Sequence, residues 1–167
     1  MKKLFLFLVI VLGASQFTFS QSKKELKEQK AQEDYQAIKD LVSSKKFIFD
    51  ATWISTQRGQ RINIAAGSNS IEIVQDSTKA AMQFFGEVTS IRFSGREGVK
   101  FDNKMENYQV QFNDKKKRVI VSYNVKNKAE NYSIYMSINN TGYAYVDVYS
   151  NNKSGVTYDG NVFAIKE

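Results

Sequence analysis

The chain of 167 residues contains no histidine, no cysteine and no proline. Without histidine and cysteine, Ser-His-Asp and Cys-His nucleophilic catalysis are excluded, as are zinc sites built from imidazole or thiolate ligands. Disulfide bonds and a lipid-modified N-terminal cysteine are excluded as well, so the fold must be stabilised by packing. Because proline is absent, the turns depend largely on glycine.

The first 20 residues have the three parts of a secretory signal peptide. Lys2 and Lys3 precede an apolar run at 4–12, and small residues follow at 13–15. The run is too short to span a bilayer, which needs about 20 apolar residues. We expect cleavage after Ser15 or, preferably, after Ser20. The mature protein is then expected to be exported to the periplasm or the exterior, soluble, without a membrane span and not a lipoprotein.

The segment 21–44 is predicted to form an N-terminal helix in front of a β domain at 45–167. It is rich in helix formers, and apolar side chains recur at helical spacing only in its second half, which is expected to dock on the sheet. These side chains are Ala31, Tyr35, Ile38, Leu41 and Val42. The formal charge of +7 falls to about +5 once Lys2 and Lys3 are removed, and the basic residues are spread over this helix and the loops. Because nucleic-acid binding needs a basic stripe with stacking aromatics, and because the protein is expected to be exported, nucleic acid is not an expected partner.

The stretch 108–149 alternates apolar and polar side chains with a period of two, which predicts four antiparallel strands joined by hairpins. Gly142 closes the last hairpin, because a three-residue loop needs a left-handed residue at that point. The four apolar sets are expected to share one buried face: Tyr108, Val110, Phe112; Val119, Val121, Tyr123, Val125; Tyr132, Ile134, Met136, Ile138; and Ala144, Val146, Val148. The expected cross-strand pairs are Phe112–Val119, Val110–Val121, Val125–Tyr132, Tyr123–Ile134, Ile138–Ala144, Met136–Val146 and Ile134–Val148.

The other face of this meander is polar but carries four tyrosines toward its last edge. These candidate ligand-binding residues are Tyr135, Tyr143, Tyr145 and Tyr149. Either the face meets solvent and presents an aromatic platform, or another element covers it and the tyrosines are ordinary packing residues. The sequence leaves both interpretations open.

Shorter strands are predicted on both sides of the meander. In the first of them, at 47–55, Trp53 is placed on the same side as Phe47 and Phe49, and Gly160 is expected to form a bulge in the last. The predicted segments are 47–55, 61–65, 70–75, 79–85, 90–94, 99–102 and 155–165. Many short strands after one helix predict a mainly β fold, either an antiparallel β-sandwich or a bent barrel.

Several short motifs together resemble a known family of exported domains from Gram-negative bacteria. They are the segment 47–53, the turn 57–59, Asp76-Ser77, Phe84-Phe85-Gly86, the segment 98–102, the pattern 132–142 and Tyr158-Asp159-Gly160. The family is catalogued as domain of unknown function 4251, and the likeness covers 45–165. At 82–86 the chain departs from it, since the family typically has a proline before the aromatic pair. The resemblance implies an exported helix-plus-β domain and no catalytic residues.

Three short segments partly match functional motifs, but each has a simpler structural interpretation. The segment 102–106 lacks the acidic spacing and the glycine of a calcium loop and is expected to be a turn. The glycines at 95–98 precede no helix, so a phosphate-binding loop is not expected. Asp76-Ser77-Thr78 resembles an O-glycosylation signal, but a capped turn is the simpler account.

We therefore expect an exported non-catalytic domain that binds a glycan, a peptide or an envelope component, without cofactor or metal. The alternative is a lipocalin-like carrier with an internal pocket for a small apolar ligand. A third possibility is a hydrolase based on two carboxylates. Its candidate acids are Asp50, Glu72, Glu87, Glu97, Asp102, Glu106, Asp147 and Asp159.

Overall fold

One helix and nine antiparallel strands make up the computed structural model, which describes residues 21–88, 98–127 and 130–165. The predicted signal peptide and the predicted strand at 90–94 lie outside these residues. The elements are α1 (Gln21–Ser43), β1 (Lys46–Thr56), β2 (Arg61–Asn63), β3 (Ser70–Val74), β4 (Ser77–Met82), β5 (Val99–Asn113), β6 (Arg118–Asn127), β7 (Glu130–Asn139), β8 (Tyr143–Ser150) and β9 (Val156–Ala164).

Eight of the strands form a closed barrel. The sheet has the order β2-β1-β3-β4-β5-β6-β7-β8-β9, and β1 also pairs with β9, from Phe47 opposite Ala164 to Thr56 opposite Val156. The strand β2 is the additional strand: it pairs with 53–55 of β1, on the same edge that pairs with β3 at 46–50. Of the two predicted architectures, the barrel is the one that forms. A ring of eight strands leaves an interior that side chains can fill.

The interior is filled by the side chains that the alternating pattern predicts to be buried. Every cross-strand pair expected within the meander is present. The inward side chains of β6, β7 and β8 are almost completely buried, and aromatic residues of β1 and β9 meet them from the other side of the ring, among them Phe47, Phe49 and Tyr158. The hydrophobic effect on these side chains is the main stabilising force of the fold.

The strand β5 differs from the prediction in two ways. The segment 102–106, expected to be a turn, lies inside one continuous strand of 15 residues. Phe112, expected in the core, is 45% exposed, because β4 accompanies β5 only as far as Lys104. Beyond Lys104, β5 continues without β4 beside it. It contains a bulge there, in which Asn107 has a φ of 54°. Tyr108 and Val110 are half-buried as a result.

A bulge in β1 overturns the prediction for Trp53. The register with β9 shifts between Ala51 and Trp53, so the inward position passes to Ile54, which is fully buried, and Trp53 faces outward. The predicted bulge at Gly160 thus lies in the opposing strand. Gly160 is still special, because a Cβ atom there would lie 2.8 Å from the Cα atom of Ala51.

The helix α1 covers the end of the barrel at which β1 begins. Its first half, 23–30, is exposed, whereas Tyr35 and Val42 are fully buried and Ile38 packs against the core. The Tyr35 hydroxyl donates to a carboxylate oxygen of Asp114 at 3.1 Å. The docking of the second half is confirmed. Among the described residues no helix is both long and apolar enough to cross a bilayer.

The chain between β3 and β5 differs from the predicted boundaries by a few residues. The turn of the β3–β4 hairpin is Gln75-Asp76 rather than Asp76-Ser77, and Ser77 is an exposed first residue of β4. The strand ends at Met82, and 83–88 then lie at the barrel end remote from α1. There the Tyr158 hydroxyl donates to the Gln83 carbonyl oxygen at 2.8 Å, which ties this segment to the core.

Candidate functional site

A groove of about 320 Å³ lies on the outer face of the barrel between two tyrosines. Tyr135 on β7 is opposite Asp147, and Tyr149 on β8 is opposite Ser133. Both rings point away from the core, because their neighbours along the strands, such as Ile134 and Val148, occupy the inward positions. Tyr135 is 42% exposed and Tyr149 is 53% exposed, so each keeps a free ring surface for a ligand.

Polar, uncharged side chains form the floor of this groove. Gln109, Ser122, Asn124 and Ser133 extend across β5, β6 and β7, and none of the described residues that line the groove is charged. The Ser133 hydroxyl donates to the Asn124 side-chain oxygen at 2.8 Å, which fixes the orientation of that amide. The groove thus offers amide and hydroxyl groups as donors and acceptors between two aromatic walls.

The bulge in β5 sets one end of the groove. Asn107 occupies the left-handed region, which asparagine tolerates better than most residues. Its side chain, together with Gln109 after the register shift, lines the groove from the β5 side. The alternation of polar side chains along β5, β6 and β7, together with the bulge in β5, therefore brings these groups to one groove.

The other two predicted tyrosines belong to a second outer cluster. The rings of Tyr143 and Tyr145 meet edge to face with their centroids 5.3 Å apart. Next to them Arg61 of β2 bonds the nearly buried carboxylate of Asp159 at 2.7 Å and lies over the Trp53 ring at 4.8 Å. Tyr145 is exposed and Tyr143 is half-buried. The four tyrosines thus share one face of the barrel but divide into two pairs.

The electrostatics of this second cluster favour a structural role. Burial raises the pKa of Asp159, and the Arg61 guanidinium opposes that rise. Burial likewise raises the pKa of Tyr143, with a further contribution from the Asp159 charge. The ion pair fastens β2 to β9 across the outer surface. Sequence reasoning missed it, because only the β1 bulge brings Trp53 to this side.

A buried ion pair inside the barrel was also missed. Lys153 Nζ lies 2.9 Å from Glu130 Oε2, and the two side chains are only 5% and 8% exposed. The same carboxylate accepts hydrogen bonds from Tyr132 at 2.6 Å and Ser150 at 2.5 Å. The Lys153 ammonium also donates to the Gly98 carbonyl oxygen at 3.3 Å. Nothing in the sequence distinguishes Lys153 from the other loop lysines.

Most of the acids proposed for hydrolysis are engaged in local contacts. Asp50 accepts from the Gly67 amide at 2.8 Å, and Asp147 accepts from the Thr157 hydroxyl at 2.6 Å. The other paired acids and their cations are Glu87 with Arg58, Asp102 with Lys79 and Glu106 with Lys126. Glu97 lies outside the described residues. Within the described ranges no three metal-ligating side chains come together.

The fold and the groove define a small closed β-barrel domain with one end covered by a helix and a polar groove on its wall. The model of the family described as Domain of unknown function (DUF4251) matches residues 29–162, and the chain belongs to this family. It is also similar to the crystal structure of a DUF4251 family protein from Bacteroides eggerthii DSM 20697, with a TM-score of 0.63 and 16% sequence identity over 80% of this chain and 87% of that one. No curated protein matches the chain significantly.

Proposed function

We propose that this domain is an exported, non-catalytic module that binds a neutral glycan in the groove between Tyr135 and Tyr149. The observation that carries the proposal is the pairing of two half-exposed tyrosines with a floor whose described residues are all uncharged. A quarter of the residues of the chain are charged, so a groove with only uncharged residues in its described lining is a distinct surface. It suits a ligand that is polar and neutral.

A sugar ring is complementary to the two kinds of surface in this groove, the polar floor and the aromatic walls. Its hydroxyl groups match the amide and hydroxyl groups of Gln109, Asn124 and Ser133, and its C–H faces match the apolar rings of tyrosine. The volume of about 320 Å³ is at the lower end of the range for small-ligand sites. It therefore suits one or two sugar units of a longer chain.

The barrel is compatible with a carrier of a small apolar ligand, but the described interior is already occupied. Phe47, Phe49, Tyr132 and Tyr158 are inward-facing and nearly or fully buried. An internal ligand would have to displace such side chains, which pack at the density of a protein core. We therefore prefer the outer groove.

Changing Tyr135→Ala together with Tyr149→Ala is expected to weaken glycan binding at least about tenfold, because aromatic anchors supply much of the binding energy in such sites. The probe is an array of neutral oligosaccharides, with acidic oligosaccharides and peptides as parallel arms, followed by calorimetry on the neutral sugar that binds most tightly. The melting temperature should change little, since both rings are half-exposed.

The matched control is Tyr145→Ala, which removes an equally exposed tyrosine that does not line the groove. It should leave binding unchanged. The proposal fails if the wild-type protein binds only acidic sugars or peptides, or none of the probes. It also fails if Tyr145→Ala weakens binding as much as the double change does.

Export is tested separately through the mass of the mature protein. Expressed in a Gram-negative host, the chain should lose residues 1–20 and appear in the periplasm or the medium with Gln21 at its N-terminus, as read by intact mass spectrometry. The variant Leu6→Arg with Val9→Arg interrupts the apolar run and should stay unprocessed in the cytoplasm. Full-length wild-type protein found only in the cytoplasm would contradict export.

A further inference from the structure

The second half of β5 has a free edge. The Met105 amide donates to the Asp76 carbonyl oxygen at 2.8 Å, and after it no hydrogen bond links the backbone of 107–112 on that edge to another described segment. Two lysines approach here: Lys39 of α1 lies near the Phe112 ring, and Lys45, in the turn between α1 and β1, lies near the Tyr108 ring.

Free strand edges are usually protected from association by lysine, proline or charge. The segment 107–113 has none of these: its sequence is Asn-Tyr-Gln-Val-Gln-Phe-Asn. Asn107, Gln109, Gln111 and Phe112 are exposed. In a chain with 24 basic and 17 acidic residues, an uncharged edge of this length is suited to pairing with another strand.

The same seven residues read nearly the same in both directions around Val110. If a second copy pairs antiparallel about a two-fold axis at Val110, Gln109 faces Gln111 of the other copy and Tyr108 faces its Phe112. The outer pair is Asn107 with Asn113. Aromatic residues then meet aromatic residues and amides meet amides, which are favourable cross-strand pairs. An interface with two-fold symmetry requires this kind of self-complementarity.

We propose that the protein forms a symmetric dimer by antiparallel pairing of the β5 edge, residues 107–113, with the same edge of a second copy. Glu106 would face Asp114 of the other copy, so like charges limit the pairing at both ends. The bulge at Asn107 also ends the straight part of the strand there. The interface is short, and we therefore expect a weak dimer that dissociates on dilution.

This dimer is independent of the proposed function, although the two surfaces adjoin. Asn107 and Gln109 line the groove on the outer face, so the grooves of the two copies would lie side by side across the two-fold axis. Two grooves on one surface would increase the avidity for a repetitive ligand without any new contact. The proposal is tested on the oligomeric state alone, so its failure leaves glycan binding untouched.

Sedimentation velocity over about 5 to 500 µM protein is expected to show a monomer–dimer equilibrium. Gln109→Lys with Gln111→Lys places lysines opposite each other twice and should keep the protein monomeric throughout. The matched variant Gln109→Lys with Gln111→Glu places opposite charges in the same positions and should associate at least as strongly as the wild type. All three should have the same melting temperature, because both glutamines are exposed.

A single cysteine gives a second test, because the natural chain has none. In the proposed pair the two Val110 residues are directly opposite, at about 4.5–5.5 Å between Cα atoms, which is within the range for a disulfide. Val110→Cys should oxidise rapidly to a dimer, whereas the two cysteines of Gln111→Cys would be offset by two residues and should not. Equal rates for the two variants overturn the proposal, as does a wild type that remains monomeric over the whole range.

Discussion

Replacing Lys153 by methionine is expected to destabilise the protein by about 3–5 kcal/mol, the typical cost of removing one partner of a buried ion pair. Glu130 would then keep its charge inside the barrel with no cation beside it, since Lys153 Nζ is 2.9 Å from its carboxylate and both side chains are nearly buried. Urea denaturation at neutral pH measures the loss directly, as a lower midpoint with an unchanged slope.

The double variant Lys153→Met with Glu130→Gln is expected to regain most of that stability. The Tyr132 and Ser150 hydroxyls lie 2.6 and 2.5 Å from the two carboxylate oxygens. A neutral amide can accept from one of these hydroxyls with its oxygen and donate to the other with its NH2 group, and no buried charge is left unpaired. If the double variant is as unstable as Lys153→Met alone, then the packing of the lysine stem, rather than charge pairing, explains the loss.

The pH dependence of stability provides a further check on this pair. Burial by itself raises the pKa of Glu130, but the hydrogen bonds from Ser150, Tyr132 and Lys153 outweigh burial and hold the pKa below the ordinary value of 4.5. A group whose pKa is lower in the folded protein stabilises the fold above its unfolded pKa. That contribution should disappear as the pH falls below about 4.5, and it should be missing from the double variant.

Changing Gly160→Ala is expected to cost about 3–5 kcal/mol, at the upper end for an added methyl group. A Cβ atom at this position would overlap the Asp50 carbonyl oxygen and lie 2.8 Å from the Ala51 Cα atom. Both neighbours are backbone, so β1 and β9 would have to separate where they close the ring. Thermal and urea unfolding of the purified variant measure the effect.

The comparison variant for Gly160→Ala is Gly67→Ala. Gly67 has a φ of +75° and no atom within 4 Å of its would-be Cβ, so the substitution costs only the left-handed backbone strain of about 1–2 kcal/mol. The large effect predicted for Gly160→Ala is contradicted if the two variants are equally stable, because the difference rests on close strand approach alone.

The register of the meander was predictable because two local signals agree there. The alternation of side chains assigns every residue of β6, β7 and β8 to a face, and the turn that ends at Gly142 fixes the pairing of β7 with β8. Gly142 has the expected left-handed backbone, with a φ of 85°. A slip of one residue between β7 and β8 would have turned Asp147 and the outward tyrosines of β8 toward the core, so the sequence admits only one good pairing.

The differences from the prediction have long-range causes. The outward turn of Trp53 depends on a bulge opposite Gly160, more than 100 residues away. The exposure of Phe112 follows from the point at which β4 stops. Neither is visible in the local pattern, since a strand's alternation does not show how far its neighbour extends.

The candidate site was predictable in part. The polar face of β6, β7 and β8, with its tyrosines, follows from the same alternation that gives the core. Whether another element covers that face depends on how the ring closes, which the sequence left open. The division of the tyrosines into a groove pair, Tyr135 and Tyr149, and a pair beside Arg61 also depends on the pairing of β2 with β1, which the sequence does not predict.

The pairing of β1 with β9 has a consequence for how the chain folds. Phe47 of β1 pairs with Ala164 of β9, so the ring cannot close until β9 has been synthesised. Contacts between residues so distant in sequence make folding slow, because the loop between them must be closed first. A partly synthesised chain therefore lacks the strand that completes its barrel.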